Sequence, residues 1–297
     1  MQRGEDTVKT KQTYKKRSQF SAVWRRLKKN KLAMLGLVIL TAMILIAVCA
    51  DLLADYDTAV IGQNMAERLQ GPSGSHWFGT DQFGRDVLAR IIHGSRLSLS
   101  LSIIAMTVAV AIGSCIGAVA GYYGGRVDDV LMRLMDILLA IPPMLMSISI
   151  VAALGQSMVN LLIALAIAYV TVFARVIRST ILSIKGQEFV EAARACGTGN
   201  ARIILRHIIP NAIGPIIVEA TLTMGAAILI ISSLSFMGLG IQPPAPEWGT
   251  MLYEGRDVIR NDPYLVIFPG AAIALAVMSL NLLGDGLRDA LDPRLKN

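Results

Sequence analysis

The sequence predicts an all-α protein that crosses a membrane six times, and three observations carry that expectation. Of its 297 residues, 54% are hydrophobic and 16% are charged, where a soluble domain carries about 25% charged residues. The apolar residues gather into six segments, each of a length suited to a hydrocarbon core of about 30 Å. The 28 Lys and Arg divide unevenly between the two sides that six crossings create. With both termini on one side, 22 fall there and 6 opposite, and the positive-inside rule makes the richer side cytoplasmic. Five or seven spans would destroy this asymmetry. The formal charge of +7 therefore reads as a basic inner face set against a lipid bilayer, and no nucleic-acid partner is expected.

In chain order, Met1–Thr13 is polar and expected to be loose. Over Ser18–Lys31, Phe20, Trp24 and Leu27 recur at helical spacing while Arg25, Arg26, Lys28 and Lys29 fill the other face. That pattern predicts an amphipathic helix on the inner leaflet. No cleavable signal is expected before the first span, Leu32–Ala50. A long polar segment, 51–96, follows. The second span, Leu97–Tyr122, carries Gly113, Gly117 and Gly121 four apart, as in close helix contacts. A short turn over Gly124–Arg133 precedes the third span, Leu134–Leu154, expected to kink at Pro142-Pro143. The fourth span is Met158–Ala174, the fifth Ile216–Leu239 and the sixth Tyr264–Leu283, with a polar loop over Ile241–Pro263. The chain thus divides into a cytoplasmic arm (1–31), the first span (32–50), an extracytoplasmic segment (51–96), a five-helix core (97–285) containing a cytoplasmic hinge (175–215), and a tail (286–297).

The hinge holds the most informative stretch, Glu188–Pro210. Residues Glu188 to Cys196 favour a helix, and Gly197 stands where a left-handed cap would end it. Thr198 or Asn200 can cap a second helix with Arg202 and Arg206 on one face. Ala192, Ala193 and Ala195 keep the first helix slim, so another backbone can approach. Pro210 either stops the second helix or kinks it on its way into the bilayer. On physics alone this is a docking surface or an ordinary solvated loop.

Other polar residues admit two readings each. Asp81 can cap a helix whose apolar face is Val87, Leu88, Ile91 and Ile92, lying against the membrane before Arg96 turns the chain inward. His76, Asp81, Asp86 and His93 could instead ligate a metal, but their spacing fits no trusted pattern and no metal is expected. Asp136 and Glu219, near the inner ends of two spans, are functional candidates or simply reach water. Ser147, Ser149, Ser232, Ser233, Ser235 and Asn281 line a polar path or serve helix contacts. Cys49, Cys115 and Cys196 have neither metal nor disulfide-framework spacing. The sequence contains no GxxxxGK[ST], GxSxG or HExxH, so the chain is not read as an enzyme by itself and no bound cofactor is expected.

Glu191-Ala192-Ala193, followed by Gly197 and a run ending at Pro210, resembles the EAA loop of ABC-importer permeases. His207 stands where the general pattern has an apolar residue, and His207–Asn211 (HIIPN) is similar to the peptide and nickel branch. Residues 79–99, 233–248 and 281–295 resemble the dipeptide and oligopeptide permeases of the DppC/OppC type, so that the likeness runs from Trp24 onward. Ser232 stands where related chains often carry an acidic residue.

The resemblance implies a type I importer permease fold in a prokaryotic plasma membrane. It implies a heterodimer with a second permease, two ATPase subunits that hold ATP and Mg, and an extracytoplasmic substrate-binding protein. Glu191, Ala192, Ala193, Gly197, Thr198, Arg202 and Pro210 would then couple the spans to an ATPase, and alternating access would carry peptides inward. Nickel, its chelates or glutathione are the alternative cargo. A secondary transporter, the reading from another class, would need midplane charges and internal repeats, and neither is seen.

Overall fold

A computed structural model describes residues 19–291; the expectations for Met1–Thr13 and for the last residues of the tail lie outside that range. All regular structure in it is helical. Helix α1 is Gln19–Leu27 and α2 is Lys31–Val48, whose Asn30 cap accepts from the Leu32 and Ala33 N–H groups. A short turn, α3 (Ala50–Leu53), leads into an irregular segment. Then follow α4 (Val87–Tyr123), α5 (Gly125–Leu139), α6 (Pro143–Leu154) and α7 (Met158–Ile184). The hinge contributes α8 (Glu188–Ala195) and α9 (Asn200–Ile203), which runs into α10 (Ile209–Phe236). The set closes with α11 (Trp248–Gly255) and α12 (Tyr264–Leu291). Among the described residues, five helices have the length and composition to cross a membrane: α2, α4, α7, the α9–α10 run and α12. The α5/α6 pair supplies a sixth crossing if its bend is one span.

The helices pack through backbone seams, because lipid offers no hydrophobic drive for helix association and close approach must supply the attraction. A Cβ on Gly113 would lie 2.6 Å from Phe173 Cβ, one on Gly117 2.3 Å from the Ala174 carbonyl, and one on Gly121 3.0 Å from the Arg178 carbonyl. The three-glycine stripe of the second span is therefore the α4–α7 contact. A second seam joins α2 to α12, where a Cβ on Gly36 would sit 2.7 Å from the Ser279 carbonyl and one on Gly286 2.1 Å from Ala33 Cβ. Around these seams lies a core of Leu101, Met106, Leu161, Leu165, Phe173 and Ile231.

Several boundaries depart from the sequence reading, each for a local reason. The stretch before the second span is not a separate helix against the membrane. It is the first ten residues of α4, which at 37 residues is about 55 Å long. The α4 cap is Asp86, whose Oδ1 accepts from the Ala89 N–H at 2.8 Å, and not Asp81. Arg96 does not turn the chain. It closes the end of α2, donating to the Ala47 carbonyl at 3.1 Å and to Asp51 at 3.0 Å, and this contact holds the Asp51 carboxyl below its usual range.

The expected turn over 124–133 is helical. Gly124 and Gly125 (φ +67° and +54°) reverse the chain without a loop, and α5 starts at once. The kink at Pro142-Pro143 is a break of 82° between α5 and α6. Pro143 opens α6, since its ring forbids continuation of the helix before it. Arg175 and Arg178 lie inside α7, which extends to Ile184. Arg178 forms a two-bond pair with Asp128 (2.5 and 2.6 Å), and Arg175 binds Asp136 at 2.5 Å. Asp136 is thus an ion-pair partner. The sixth helix likewise runs past Leu283 to Leu291.

The amphipathic helix is shorter than expected, and the Phe20 side chain lies outside the described residues. Leu27 is buried with Val23 partly so, against Leu283, Leu287 and Ala290 of α12, and Arg26 donates to the Ala290 carbonyl at 3.3 Å. Trp24 is left partly exposed beside Lys28. The expected polar loop over 241–263 contains the buried helix α11, capped by Glu247, which accepts from the Thr250 N–H at 2.9 Å and from Ser98 at 3.1 Å. Trp248, fully buried, donates to the Ile91 carbonyl at 3.1 Å.

A charge-balanced buried quartet joins this loop to the first one. Arg85 donates to Asp81 (2.6 Å) and Glu254 (2.9 Å), and Arg90 to Asp81 and Glu254 (both 2.7 Å). All four side chains are more than nine-tenths buried. Glu254→Gln leaves two buried guanidinium groups facing one carboxylate and should cost about 3–5 kcal/mol, read as a lower melting temperature of the detergent-solubilised protein; a wild-type melt would contradict the quartet's role. Gly117→Val should also lower the melt, by about 1–3 kcal/mol from overpacking, because the added carbon has no space on α7. Gly71→Ala, with nothing within 4 Å, should leave it unchanged.

Candidate functional site

The residues singled out in the hinge form a helical elbow at one end of the bundle. That same end holds α1, the start of α2 and the end of α12, as the contacts of Gly214 with Leu291 and of Gly286 with Ala33 show. Helix α8 is one face deep: Val190 is buried and Ala193 partly so, while Glu188, Phe189, Glu191, Ala192, Arg194 and Ala195 are exposed. Val190 sits among Ala118, Tyr122, Ile177, Ile181, Ile203 and Ile208, so the elbow rests on the ends of α4, α7 and α10.

Gly197 adopts φ +74°, and a Cβ there would meet nothing within 4 Å. Its need for glycine is conformational and not steric. The Thr198 N–H reaches back to the Ala193 carbonyl at 3.1 Å, closing the end of α8 as a left-handed cap requires. The expected side-chain cap on the next helix is absent. Gly199 occupies the cap position, Thr198 makes only the backbone bond, and Asn200 uses its Oδ1 to accept from the Tyr122 hydroxyl at 2.8 Å.

Pro210 neither stops nor sharply kinks the second helix. It lacks the N–H that the Arg206 carbonyl would take, and the chain meets that loss with a π-turn over Ile204–Ile208 just before it. Within that turn the Ile209 N–H bonds the Ile204 carbonyl, five residues back. Arg202 and Arg206 are both exposed, as is Leu205 at 67%. The elbow therefore shows outward a slim alanine face, a carboxylate at Glu191, two guanidinium groups, and two apolar side chains, Phe189 and Leu205.

The elbow is fastened by groups that sequence reasoning passed over. Lys185 donates to the Gly121 carbonyl at 3.0 Å, and the Arg194 guanidinium lies 5.2 Å from the centre of the Tyr122 ring. The available signal was a tyrosine pair closing an apolar span immediately after a glycine stripe.

The six polar residues assigned to a path differ in burial within the single chain. Ser147, Ser232 and Ser235 are buried, Ser233 is half-buried, and Ser149 and Asn281 are exposed. Ser147 and Ser149 donate to carbonyls one turn back, of Pro143 and Leu145. Glu219 lines a cavity of about 350 Å³ with Arg288, Pro215, Leu222 and Leu291. Of the four metal candidates only two meet: His76 bonds Asp86 at 2.8 Å, while His93 bonds the Ala54 carbonyl at 2.9 Å and Asp81 belongs to the arginine quartet. Among the described residues no group of His, Cys, Asp and Glu is arranged to hold a metal ion.

Comparison with known proteins places this architecture. Residues 113–297 match the family described as binding-protein-dependent transport system inner membrane component, and residues 18–72 match the N-terminal transmembrane domain of oligopeptide transport permease C. The dipeptide transport system permease protein DppC of Alkalihalophilus pseudofirmus is 51% identical over 285 residues, covering 94% of this chain and 93% of the relative. The glutathione transport system permease protein GsiD of Pectobacterium atrosepticum is 42% identical, covering 95% of this chain and 93% of the relative. The protein of that name from Escherichia coli O6:K15:H31 is also 42% identical, covering 94% and 92%. With its helical bundle, its elbow and these matches, the chain belongs to the inner-membrane components of binding-protein-dependent transport systems, as an ABC-importer permease of the DppC/OppC type.

Proposed function

We propose that this chain is one of two permease subunits of an ATP-driven importer of dipeptides and other short peptides. The observation that carries the cargo is the 51% identity to a permease named for dipeptide transport. A second cargo, glutathione, is favoured by relatives at 42% that are named for it. Glutathione is itself a short peptide, so both readings describe one chemical class.

In this reading α8 and the exposed Arg202 and Arg206 dock on an ATPase partner. Glu191 supplies a carboxylate to that contact, the alanines Ala192 and Ala193 let the partner approach, and Gly197 and Thr198 make the bend. Pro210 shifts the hydrogen-bond register where the elbow passes into α10. Phe189 is exposed on α8 and Leu205 in the π-turn that leads into α10, so the face offers apolar as well as charged groups to a protein partner. ATP and Mg reside on the partner ATPases, because no phosphate loop occurs in this sequence. ATP-driven closure of those subunits would carry the elbow and the spans with it, opening the path toward a loaded extracytoplasmic binding protein. Of the six polar path candidates, Ser149 and Asn281 are exposed in the single chain, which supports a role for them at the contact with the second permease. The elbow and both termini lie in the cytoplasm, in keeping with the Lys and Arg distribution.

Three outcomes are expected. Gly197→Val forces a β-branched residue into the left-handed region, at about 1–2 kcal/mol. It should sharply reduce peptide-stimulated ATP hydrolysis and uptake in proteoliposomes while membrane insertion stays normal; unchanged uptake would remove Gly197 from the coupling path. Cys196, exposed on the elbow, should react with a membrane-impermeant maleimide in inverted vesicles and not in intact cells, and the opposite pattern would reverse the orientation. Calorimetry on the cognate binding protein should show dipeptide binding; a protein that binds only nickel or its chelates would exclude the peptide reading.

A further inference from the structure

Beside the apolar seat of Val190 on α4, α7 and α10, the elbow makes polar contacts that gather at the inner end of one helix. Three of its side chains converge on two neighbouring residues of α4. Lys185, just before α8, donates to the Gly121 carbonyl at 3.0 Å. Arg194, in the last turn of α8, lies over the Tyr122 ring at 5.2 Å. Asn200, just after the Gly197 bend, accepts from the Tyr122 hydroxyl at 2.8 Å. Tyr122 itself is 8% exposed, packed in the apolar cluster that also holds Val190, and its ring is braced edge-on by Tyr123 at 5.3 Å.

Helix α4 is unbroken from this point to the opposite end of the bundle. There Arg90, on its first turn, belongs to the buried quartet with Asp81, Arg85 and Glu254. From Tyr122 to Arg90 the axis spans about 48 Å. Over Gly113–Gly121, about 12 Å of that length, the glycine stripe sets α4 against α7, and α4 has no break, so it is able to move as a rod. Glu254 of the quartet lies on α11.

We propose that Tyr122 is the positioning residue that ties the elbow to α4, so that ATPase-driven movement of α8 displaces α4 and, through it, the buried arginine quartet at the far end. The proposal rests on the reading of α8 as the ATPase-docking helix. The hydroxyl–Asn200 bond fixes the far side of the bend, and the ring–Arg194 contact fixes the near side. Tyr122→Phe removes the first and keeps the second.

The test uses the complete complex in lipid vesicles, with spin labels at the exposed positions Ile104 on α4 and Leu275 on α12. The distance between them is measured without nucleotide and after trapping with ATP and vanadate. Uptake of labelled dialanine per ATP hydrolysed is recorded in parallel. In the parent complex the trapped state should shift the distance. Tyr122→Phe should diminish that shift and cut uptake per ATP by about three- to tenfold, as loss of one partly buried hydrogen bond suggests, while the ATPase subunits still co-purify in full amount. Asn200→Ala should reproduce the effect, and the double variant should add nothing; Asn200→Ala alone decides the matter if Tyr122→Phe does not assemble. A parent complex with no distance change overturns the proposal, as does an unchanged shift and ratio in both variants. A parent preparation that brings down no ATPase refutes the underlying permease reading instead, a result distinct from either.

Discussion

Everything in this molecule is hung on the contact between the second and fourth long helices. Within a bilayer, apolar side chains gain nothing from leaving lipid for protein, so the pair must earn its stability from close backbone approach. Gly113, Gly117 and Gly121 supply it; a single added carbon would collide with α7 at the first two and sit tightly against it at the third. The consequence is geometric as much as energetic. A 37-residue helix without a break links whatever is attached to its two ends. At one end that is a set of four buried charges, and at the other a helical elbow.

The two ends are built by opposite rules. The quartet is charge-balanced: two guanidinium groups and two carboxylates neutralise each other out of water, Arg90 through Nη1 alone, and the loss of one member leaves a buried charge unpaired. It joins the first long segment to α11, and the burial of Trp248 with its bond to the Ile91 carbonyl reinforces the same joint. The elbow is open. Only Val190 of α8 is fully buried, and the space around Gly197 is empty. Such a segment has few contacts opposing local movement. A buried far end and an exposed near end, pinned at Gly121 and Tyr122, are thus joined by one continuous helix.

The parts legible in the sequence were those with a period or a sharp backbone demand. The spans followed from apolar length, the α4–α7 seam from glycines four apart, and the bend from Gly197 after a run of helix formers. Junctions were harder. Two consecutive left-handed glycines, Gly124 and Gly125, made a turn with no loop to announce it, so that the charged residues after them read as a connection when they are helix. Asp81 and Asp86 both precede α4, and a single sequence cannot say which one caps it once Arg85 and Arg90 compete for Asp81. Arg175 and Arg178 seemed to end a span because charges are costly in lipid, but Asp136 and Asp128 on α5 meet them, and pairing across helices is invisible to a window read along one chain. The fastening of the elbow by Tyr122, Asn200 and Lys185 was hidden for the same reason.

This difference also explains why the elbow sequence is more telling than its structure in isolation. Its outward groups, Glu191, Arg202 and Arg206 around a strip of alanines, contribute little to the fold of the chain itself, since they are exposed. Helix propensity alone would accept many other residues at those positions. Phe189 and Leu205 add two exposed apolar side chains to the same stretch. Residues that a fold does not require, grouped on the face it leaves open, are best accounted for by a partner. The residues that the fold does require, Val190 inside and Gly197 at the bend, set only where that face points.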